Sequence, residues 1–533
     1  MKFDINKHIF KRAITPLALF VVMFMPTIFK FLFINKDILS LITNLIYSIP
    51  LCFLLLLIRN RYIFIFIFTI VMIISNIESI MVLQYQDYIN AGNILSIIKT
   101  TIDESLGFFS TAKYVFIWCI PIIFLWLTGI FFNKYRFTKS FTISFIVSLI
   151  SFFIYLIVDC NYIRGKELTI RFYANKYLFS NPPYNIFLQT QNVLEYYAIR
   201  FNSKDADKVT FNSYREDLNE NKEIYVLAIG ESVKYDNLSL GGYTRKTTPL
   251  LEQEDNLFLY SNYYSTATLT AYSIPQILTR ATPHTFDLSF KEPSILKPFQ
   301  ECDFRTYVIC CKNLLNHEDY LTKGINGLYS VDNDAKISTI VDSISNLYPK
   351  TFFIVQYLGS HGPYDNFDNK CDIYHPNHVS DNREYTDRTA VKNSYDNTIL
   401  YMDYNLSNLI KSINKPKTKS ALLMISDHGE AFLPGTSGHG NNCNPNKEEY
   451  HVPLIFWYSS LWKDENTVKH RNLVKHKDYP INADNVFYSV LDMAGIIIAP
   501  NYAHEEWSIF SDSLELHDRL ILVPDGKNYI EVK

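Results

Sequence analysis

The pattern of hydrophobic and polar positions divides the chain into two very different parts. The first third carries long apolar stretches, whereas residues from 223 onward carry short apolar runs that alternate with helical periodicity. A helix needs about 20 apolar residues to cross about 30 Å of hydrocarbon. Five stretches have about this length: residues 15–35, 38–58, 62–83, 115–133 and 141–158. We therefore predict a transmembrane domain of five helices over residues 1–160.

Basic residues cluster on alternate sides of the predicted spans. They precede the first span and follow the second and fourth, at Lys2, Lys7, Lys11, Arg12, Arg59, Arg61, Lys134, Arg136 and Lys139. The positive-inside rule places the N-terminus in the cytoplasm, and an odd number of spans places everything after residue 160 outside. Two alternatives fit five consecutive spans less well. One is that the first stretch is a cleaved signal peptide, and the other is that the stretches are buried core helices of a soluble protein. Glu78 lies well inside the third span, where it faces either a headgroup cavity or the outer interface.

Residues 161–222 differ from both neighbouring parts in composition. The stretch 168–201 mixes aromatic, aliphatic and basic residues around Pro182 and Pro183, and the polar residues up to 222 are typical of an exposed linker. The first of these patterns favours amphipathic helices at a membrane surface. We therefore predict a connecting segment between a membrane domain and a soluble domain.

The soluble part has the pattern of an α/β fold. Continuous apolar runs cover residues 224–229, 352–358 and 421–425, as buried parallel strands do. Open α/β sheets place their sites beyond the carboxyl ends of their strands. The sequence therefore predicts a mostly parallel sheet within residues 223–533 and a site at one edge of that sheet.

The residues that follow these runs are carboxylates and imidazoles. Glu231 follows the first run, His361 the second, and Asp427 with His428 the third, while the glycine-rich stretch GTSGHG adds His439. Each residue alone is equally compatible with a turn or a cap. Together these ligand types suit Zn²⁺.

A nucleophile is expected in residues 265–278, which are rich in hydroxyls and then become helical. Pro275 is compatible with a first helical turn. A hydroxyl at a helix N-terminus beside a metal ion can act as an attacking alkoxide. The residues alone do not distinguish among Thr266, Thr268, Thr270 and Ser273, and N-capping is the alternative role for each of them.

Composition excludes two other classes of protein. The 38 tyrosines and 39 phenylalanines exclude a disordered chain. Residues 161–533 hold 37 basic and 46 acidic residues, so they lack the positive field that nucleic acid binding requires.

Six motifs, in this order behind five spans, resemble the membrane phosphoethanolamine transferases, which include lipid A modifying and mobile colistin-resistance enzymes. The motifs are GESVKYDNLSLGGYTRKTTPLL (230–251), TAYSIP (270–275), GSHGPY (359–364), NSYDNTILYMD (393–403), SDHGE (426–430) and GHG (438–440). The resemblance implies an inner-membrane protein of a bacterium. It also implies a periplasmic domain with the alkaline-phosphatase (sulfatase-like) fold and bound zinc.

The resemblance also implies the roles of individual residues. Thr270 is implied as the nucleophile that takes phosphoethanolamine from phosphatidylethanolamine, and its acceptor as lipid A or lipopolysaccharide. Glu231, Asp427 and His428 are implied as zinc ligands together with Thr270. His361 and His439 are implied as a second group that holds the substrate phosphate or a further zinc ion.

The sequence departs from the family pattern in three ways. Thr266 and Gln276 occupy the positions where many members have a disulfide around the nucleophile, and the stretch KNLLNHEDYLTKG lacks the usual Trp-x-Asp-Asn pattern. The soluble part holds an odd number of cysteines: Cys302, Cys310, Cys311, Cys371 and Cys443. We therefore predict that folding depends less on disulfides than is usual for the family.

Three other functions are weighed against this one. A phosphoglycerol transferase acting on a glycan has a similar five-span plan and a threonine nucleophile, but TAYSIP and YDN favour phosphoethanolamine. A sulfatase needs a cysteine or serine that becomes formylglycine, and no cysteine lies near Thr270. A non-catalytic membrane scaffold would require lost ligands, whereas all the ligands are present.

Overall fold

The fold is given by a computed structural model that describes residues 2–34, 36–58, 60–99, 115–131, 182, 184–202, 208–216, 221–311, 319–377, 387–433, 436–440 and 444–532. The chain divides into two compact units. One is formed mainly by residues up to 194 and the other mainly by residues from 195 onward.

The described part of the first unit is helical. Its helices are α1 (Lys2–Phe29), α2 (Ile38–Leu56), α3 (Arg61–Tyr85), α4 (Ala91–Lys99), α5 (Cys119–Phe131) and α6 (Asn185–Asn202), and two of them, α4 and α6, continue into the second unit. Among the described residues, two helical stretches are long and apolar enough to cross a membrane, Ile14–Ile34 and Arg61–Tyr85. Shorter apolar helices, Asn44–Leu56 and Phe116–Phe131, coincide with the second and fourth predicted spans. The fifth predicted span, 141–158, lies outside the described residues, so the five-span topology stays a prediction.

Glu78 is buried inside the first unit. Its carboxylate accepts hydrogen bonds from the backbone N–H of Ile89 (2.9 Å) and from Asn185 Nδ2 (3.1 Å). A buried carboxylate needs such donors because it has lost its hydration. Glu78 therefore joins α3 to the segment after it and to the start of α6.

The second unit is built around a seven-stranded sheet with the order β2-β10-β7-β1-β6-β4-β5. The strands of this unit are β1 (Lys222–Gly230), β2 (Leu257–Tyr260), β3 (Tyr263–Tyr264), β4 (Arg305–Cys311), β5 (Gly327–Val331), β6 (Lys350–Gln356), β7 (Thr418–Ser426), β8 (Ala431–Leu433), β9 (Thr436–Gly438), β10 (Leu454–Tyr458), β11 (Ile481–Asn482), β12 (Arg519–Leu522) and β13 (Tyr529–Val532). Five neighbouring strands, from β7 to β5, are parallel, while β10 is antiparallel to β7 and β2. The predicted mostly parallel sheet is confirmed.

Helices cover both faces of this sheet. They are α7 (Thr270–Leu278), α8 (Leu288–Lys291), α9 (Leu296–Glu301), α10 (Lys336–Leu347), α11 (Arg388–Ile413), α12 (Lys447–Tyr450), α13 (Ser460–Glu465), α14 (Thr467–Lys475) and α15 (Val486–Met493). Alternate residues of β1 enter opposite cores: Tyr225 and Leu227 pack with residues of α7 and α15, and Ile224 and Val226 pack with residues of α10 and α11. Burial on both faces explains the continuous apolar runs.

One local expectation is wrong. Helix α7 begins at Thr270, so Pro275 is its sixth residue and lies beyond the first turn. Proline has no N–H to donate to the carbonyl of Ala271. The helix ends only three residues later, at Leu278, and its short length limits the cost of the missing bond.

The six described cysteines are free thiols and are all buried: Cys52, Cys119, Cys302, Cys310, Cys311 and Cys371. At the positions where relatives are expected to have a disulfide, Thr266 and Gln276 are buried as well. The two positions are therefore packed in the interior without a covalent link between them.

Reducing agents should leave the stability of the protein nearly unchanged. We expect the melting temperature to move by less than about 2 °C across a dithiothreitol series, because loss of a native disulfide typically costs about 2–5 kcal/mol, which is several degrees. Differential scanning fluorimetry of the purified protein measures this shift. A fall of several degrees with reductant would contradict the prediction.

Candidate metal centre and nucleophile

The carboxyl ends of β1 and β7 bring two distant segments together. These strands pair in parallel, with Gly230 opposite Ser426, so Glu231 and Asp427 leave the sheet side by side. Asp427 donates its N–H to the carbonyl oxygen of Gly230 (3.1 Å), and Ser232 donates its N–H to Asp427 Oδ1 (3.2 Å). The expected convergence at one sheet edge therefore occurs for these strands.

Thr270 faces this edge from the start of α7. Its Oγ1 lies 3.1 Å from His428 Nε2 and 3.4 Å from Glu231 Oε2. Leu269 is the N-cap residue of the helix, and no side chain makes a capping bond there. Thr270 is thus the first helical residue, and its hydroxyl points toward the carboxylate and imidazole rather than serving as a cap.

The other three candidate hydroxyls have different surroundings. Thr266 and Thr268 are buried, and their Oγ1 atoms have no hydrogen-bond partner among the described residues. Ser273 Oγ donates to the carbonyl oxygen of Asp427 (2.5 Å), and Ser265 Oγ donates to the same oxygen. Two hydroxyls of the segment 265–278 therefore bind this segment to the backbone of Asp427. Sequence reasoning did not predict this role.

The ligand atoms of this cluster suit a metal ion. One ligand atom from each of Glu231, His428 and His439 lies within 4.8 Å of the others. His428 Nε2 is 3.4 Å from Glu231 Oε1 and 3.3 Å from Asp427 Oδ2. Asp427 Oδ2 is fully buried and has no hydrogen-bond partner in the part of the chain that the structure describes. Because an unpartnered buried carboxylate oxygen is costly, a divalent cation fits here.

The protonation states of the cluster agree with metal binding. Burial lowers the pKa of His428 to about 4, so its imidazole is neutral at physiological pH. His428 Nδ1 lies 3.0 Å from the carbonyl oxygen of Gly429, which makes Nδ1 the donor and directs the Nε2 lone pair into the cluster. Burial, together with the neighbouring Asp427 carboxylate, raises the pKa of Glu231. A bound cation would stabilise its charged form.

His439 joins the cluster from its other side. Its ring stacks on that of His428 with centroids 3.8 Å apart, and its Nδ1 lies 3.0 Å from Glu430 Oε2. Burial lowers the pKa of His439, but the Glu430 carboxylate and its hydrogen bond more than offset this, so that the net change raises it. Glu430 is the last residue of the SDHGE motif. Its place in this motif was a signal that the sequence offered, but the sequence analysis assigned Glu430 no role.

His361 lies beside the cluster on the turn that follows β6. Ser360 donates its N–H to the carbonyl oxygen of Glu231 (2.9 Å), so His361 is one residue away from a direct contact with this ligand. Its Nδ1 lies 2.7 Å from the carbonyl oxygen of Gly362. His361 is not one of the three residues whose ligand atoms lie within 4.8 Å of one another.

Other motif residues join two of the sequence motifs to each other. The buried carboxylate of Asp396, in the NSYDN motif, accepts hydrogen bonds from Asn237 Nδ2 (2.5 Å), Tyr243 Oη (3.0 Å) and Arg245 Nη1 (2.7 Å). All three donors belong to the motif that begins at Gly230. These two motifs therefore hold each other in place through one carboxylate.

Family comparisons match both parts of the chain. The family model described as Sulfatase matches residues 223–496, and the one described as phosphoethanolamine transferase EptA/EptB matches residues 48–195. The phosphoethanolamine transferase EptC of Escherichia coli K12 is 24% identical over 313 residues, which are 53% of this chain and 53% of that protein. The chain thus spans about half the length of the first curated relatives it matches.

Two solved structures have a similar fold. The integral membrane lipooligosaccharide phosphoethanolamine transferase A (EptA) of Neisseria meningitidis matches 93% of this chain and 97% of its own, with a TM-score of 0.73 and 19% identity. The C-terminal periplasmic domain of Escherichia coli EptC, solved in complex with zinc, matches 60% of this chain and 95% of its own, with a TM-score of 0.53 and 24% identity. The chain thus has the fold of these proteins, with a helical N-terminal unit followed by a sulfatase-like domain.

Proposed function

The chain belongs to the sulfatase family and within it to the phosphoethanolamine transferases, and we propose that it transfers phosphoethanolamine from phosphatidylethanolamine to lipid A or lipopolysaccharide. The observation that carries this proposal is the position of Thr270 Oγ1, 3.1 Å from His428 Nε2 and 3.4 Å from Glu231 Oε2. A hydroxyl at a helix start, directed at a cluster of metal ligands, suits attack on phosphorus.

The proposed metal is zinc, held by Glu231, Thr270, Asp427 and His428. Two carboxylates, an imidazole and a hydroxyl oxygen are compatible with Zn²⁺, and a relative's periplasmic domain was solved with zinc. When bound, such an ion lowers the pKa of a coordinated hydroxyl and stabilises negative charge on a phosphoryl group.

The proposed reaction has two steps. In the first, Thr270 Oγ1 gives up its proton and attacks the phosphorus of phosphatidylethanolamine, an oxygen–phosphorus bond forms, and the bond to the diacylglycerol oxygen breaks, so that diacylglycerol leaves with a proton on that oxygen. In the second, a deprotonated acceptor oxygen attacks the phosphothreonine, the bond from phosphorus to Thr270 Oγ1 breaks, and Oγ1 takes up a proton to regenerate the hydroxyl. A covalent intermediate of this kind predicts ping-pong kinetics.

The second group of residues is proposed to hold the phosphate. His439, whose pKa is raised beside Glu430, can donate a charge-assisted hydrogen bond to a phosphoryl oxygen. His361 follows Ser360, whose N–H donates to the carbonyl oxygen of Glu231, and can bind the same phosphoryl group. Backbone N–H groups at the start of α7 add positive potential at this position.

The proposed location is the bacterial inner membrane, with five spans over 1–160, a connecting segment over 161–222 and a periplasmic catalytic domain over 223–533. Two of the described helices are long and apolar enough to cross a membrane. A membrane-embedded donor and an enzyme anchored in the same bilayer meet at high effective concentration. The zwitterionic product carries less net negative charge than its acceptor, so cationic peptides such as polymyxins should bind the modified surface less.

Mass spectrometry of lipid A tests the function directly. Lipid A from Gram-negative cells that express the protein should gain the mass of one phosphoethanolamine unit, and lipid A from cells with Thr270→Ala should not. A gain of glycerophosphate instead would indicate phosphoglycerol transfer. Unchanged lipid A and unchanged lipopolysaccharide core, despite expression in the membrane, would contradict the proposed acceptor.

A further inference from the structure

A buried carboxylate outside the metal cluster holds the turn that carries His361. Asp334 lies just before α10 and is 2% exposed. It accepts hydrogen bonds from the backbone N–H groups of Leu358 (2.9 Å) and Gly359 (3.1 Å) and from Asn366 Nδ2 (2.9 Å). Three donors thus converge on a single anion directly behind the turn.

The same turn is fixed from its opposite side by Glu231. Gly359 has φ +53°, and a Cβ there would lie 2.9 Å from the carbonyl oxygen of Glu231 and 3.1 Å from its nitrogen. Ser360 donates its N–H to that same carbonyl oxygen (2.9 Å). The turn is therefore held between the backbone of a metal-ligand residue and the carboxylate of Asp334, with no space for a side chain.

Only a carboxylate can accept all of these hydrogen bonds at this position. Burial raises the pKa of Asp334, while the bonds from Leu358, Asn366, Gly359 and Cys311 lower it, so these donors offset part of the cost of burying the charge. An asparagine of the same shape has only one acceptor oxygen, and its NH₂ group would oppose one of the converging donors. Asp334→Asn is therefore expected to loosen the turn without changing the volume of the site.

We propose that Asp334 is a positioning residue, which acts through the backbone of Leu358 and Gly359 to hold the turn that carries His361 against the backbone of Glu231 for phosphoryl transfer. This inference rests on the proposed function, because it assigns Asp334 a contribution to the transfer rate. The hydrogen bonds of Asp334 join it to Leu358, Gly359, Asn366 and Cys311, and none of these residues is a candidate ligand of the cluster.

The chain offers a matched control in Asp403, on α11. Asp403 is buried to the same degree and accepts hydrogen bonds from the backbone N–H groups of Leu250 and Leu251, each at 2.9 Å. Leu250 and Leu251 close the motif 230–251, at the opposite end of the motif from its candidate ligand Glu231. Asp403→Asn therefore removes the same kind of buried carboxylate, with bonds to two backbone N–H groups, and neither Leu250 nor Leu251 is itself proposed to act in transfer.

The first test compares transfer rates in the full-length protein. Loading of Thr270 from phosphatidylethanolamine is followed by intact-protein mass spectrometry for wild type, Asp334→Asn, Asp403→Asn, His361→Ala and the Asp334→Asn/His361→Ala double variant. We expect Asp334→Asn to slow loading about tenfold to a hundredfold, as misplacement of a positioning group does. Asp403→Asn should stay within about twofold of wild type at a similar loss of melting temperature.

The double variant separates positioning from general destabilisation. If Asp334 acts through His361, Asp334→Asn should slow the His361→Ala protein by no more than about twofold. Rate losses that multiply in the double variant would overturn the proposal. Equal rate losses in Asp334→Asn and Asp403→Asn would also overturn it, because both would then be effects of stability.

Hydrogen exchange tests whether Asp334 holds the turn, independently of the reaction. The amides of Leu358 and Gly359 should exchange faster in Asp334→Asn than in Asp403→Asn, and unchanged exchange would overturn the proposal. If wild-type protein does not load Thr270 at all, the proposed function fails, whereas the exchange measurement still decides whether Asp334 holds the turn.

Discussion

Replacement of Thr270 by alanine should slow phosphoethanolamine transfer by at least about 10³-fold and remove the covalent adduct from the protein. The reason is geometric: Thr270 Oγ1 is the candidate hydroxyl that lies against both His428 Nε2 and Glu231 Oε2. Incubation with phosphatidylethanolamine and no acceptor, followed by peptide mass spectrometry, measures the adduct. Thr270→Ser retains the attacking oxygen and should still form some adduct.

Thr268 provides the matched control for this experiment. Thr268→Val removes a buried hydroxyl that has no hydrogen-bond partner among the described residues and keeps the side-chain shape, so neither rate nor stability should fall much. If Thr270 served only as a helix cap, its replacement by alanine would cost about 1 kcal/mol of stability and leave the rate unchanged. Phosphoethanolamine on Thr266, Thr268 or Ser273 would refute the assignment, and turnover with no adduct would refute the covalent mechanism.

The strands of the soluble domain could be predicted because burial on both faces leaves a continuous apolar run. The predicted runs 224–229, 352–358 and 421–425 lie within or overlap the observed strands β1, β6 and β7. An apolar run does not specify strand direction, however. The antiparallel placement of β10 between β7 and β2 depends on the path of the connecting chain and could not be derived from the pattern.

The convergence of the candidate ligand residues could be predicted in part because parallel strands end at the same edge of a sheet. Glu231, Asp427 and His428 meet there for that reason. The choice among four hydroxyls needed the start of α7 at Thr270, which the sequence left open. Glu430 and Asp334 also follow the carboxyl ends of parallel strands, β7 and β5, but the pattern of the strands does not indicate that Glu430 contacts His439 or that Asp334 accepts from the turn after β6.

Replacement of either Asp427 or His428, two further proposed ligands, should cause loss of the metal. Asp427→Asn keeps an oxygen that accepts from the backbone N–H groups of Ser232 and His428, but it replaces the buried, unpartnered Oδ2 by an NH₂ group. We expect this variant to fold, to lose most of its zinc by elemental analysis and to transfer at least about 10³-fold more slowly, because charge stabilisation at the phosphoryl group is lost.

His428→Ala should give the same two losses, and His476 provides its control. Both histidines are buried, and in both Nδ1 lies 3.0 Å from a backbone carbonyl oxygen, that of Gly429 or of Ile509. His476→Ala therefore removes a similar ring from a similar setting outside the cluster, and it should lower stability while zinc content stays at the wild-type level. Full zinc occupancy in an Asp427→Asn/His428→Ala double variant would mean that the metal is bound elsewhere. Equal zinc loss in His476→Ala would mean that the losses reflect unfolding rather than ligation.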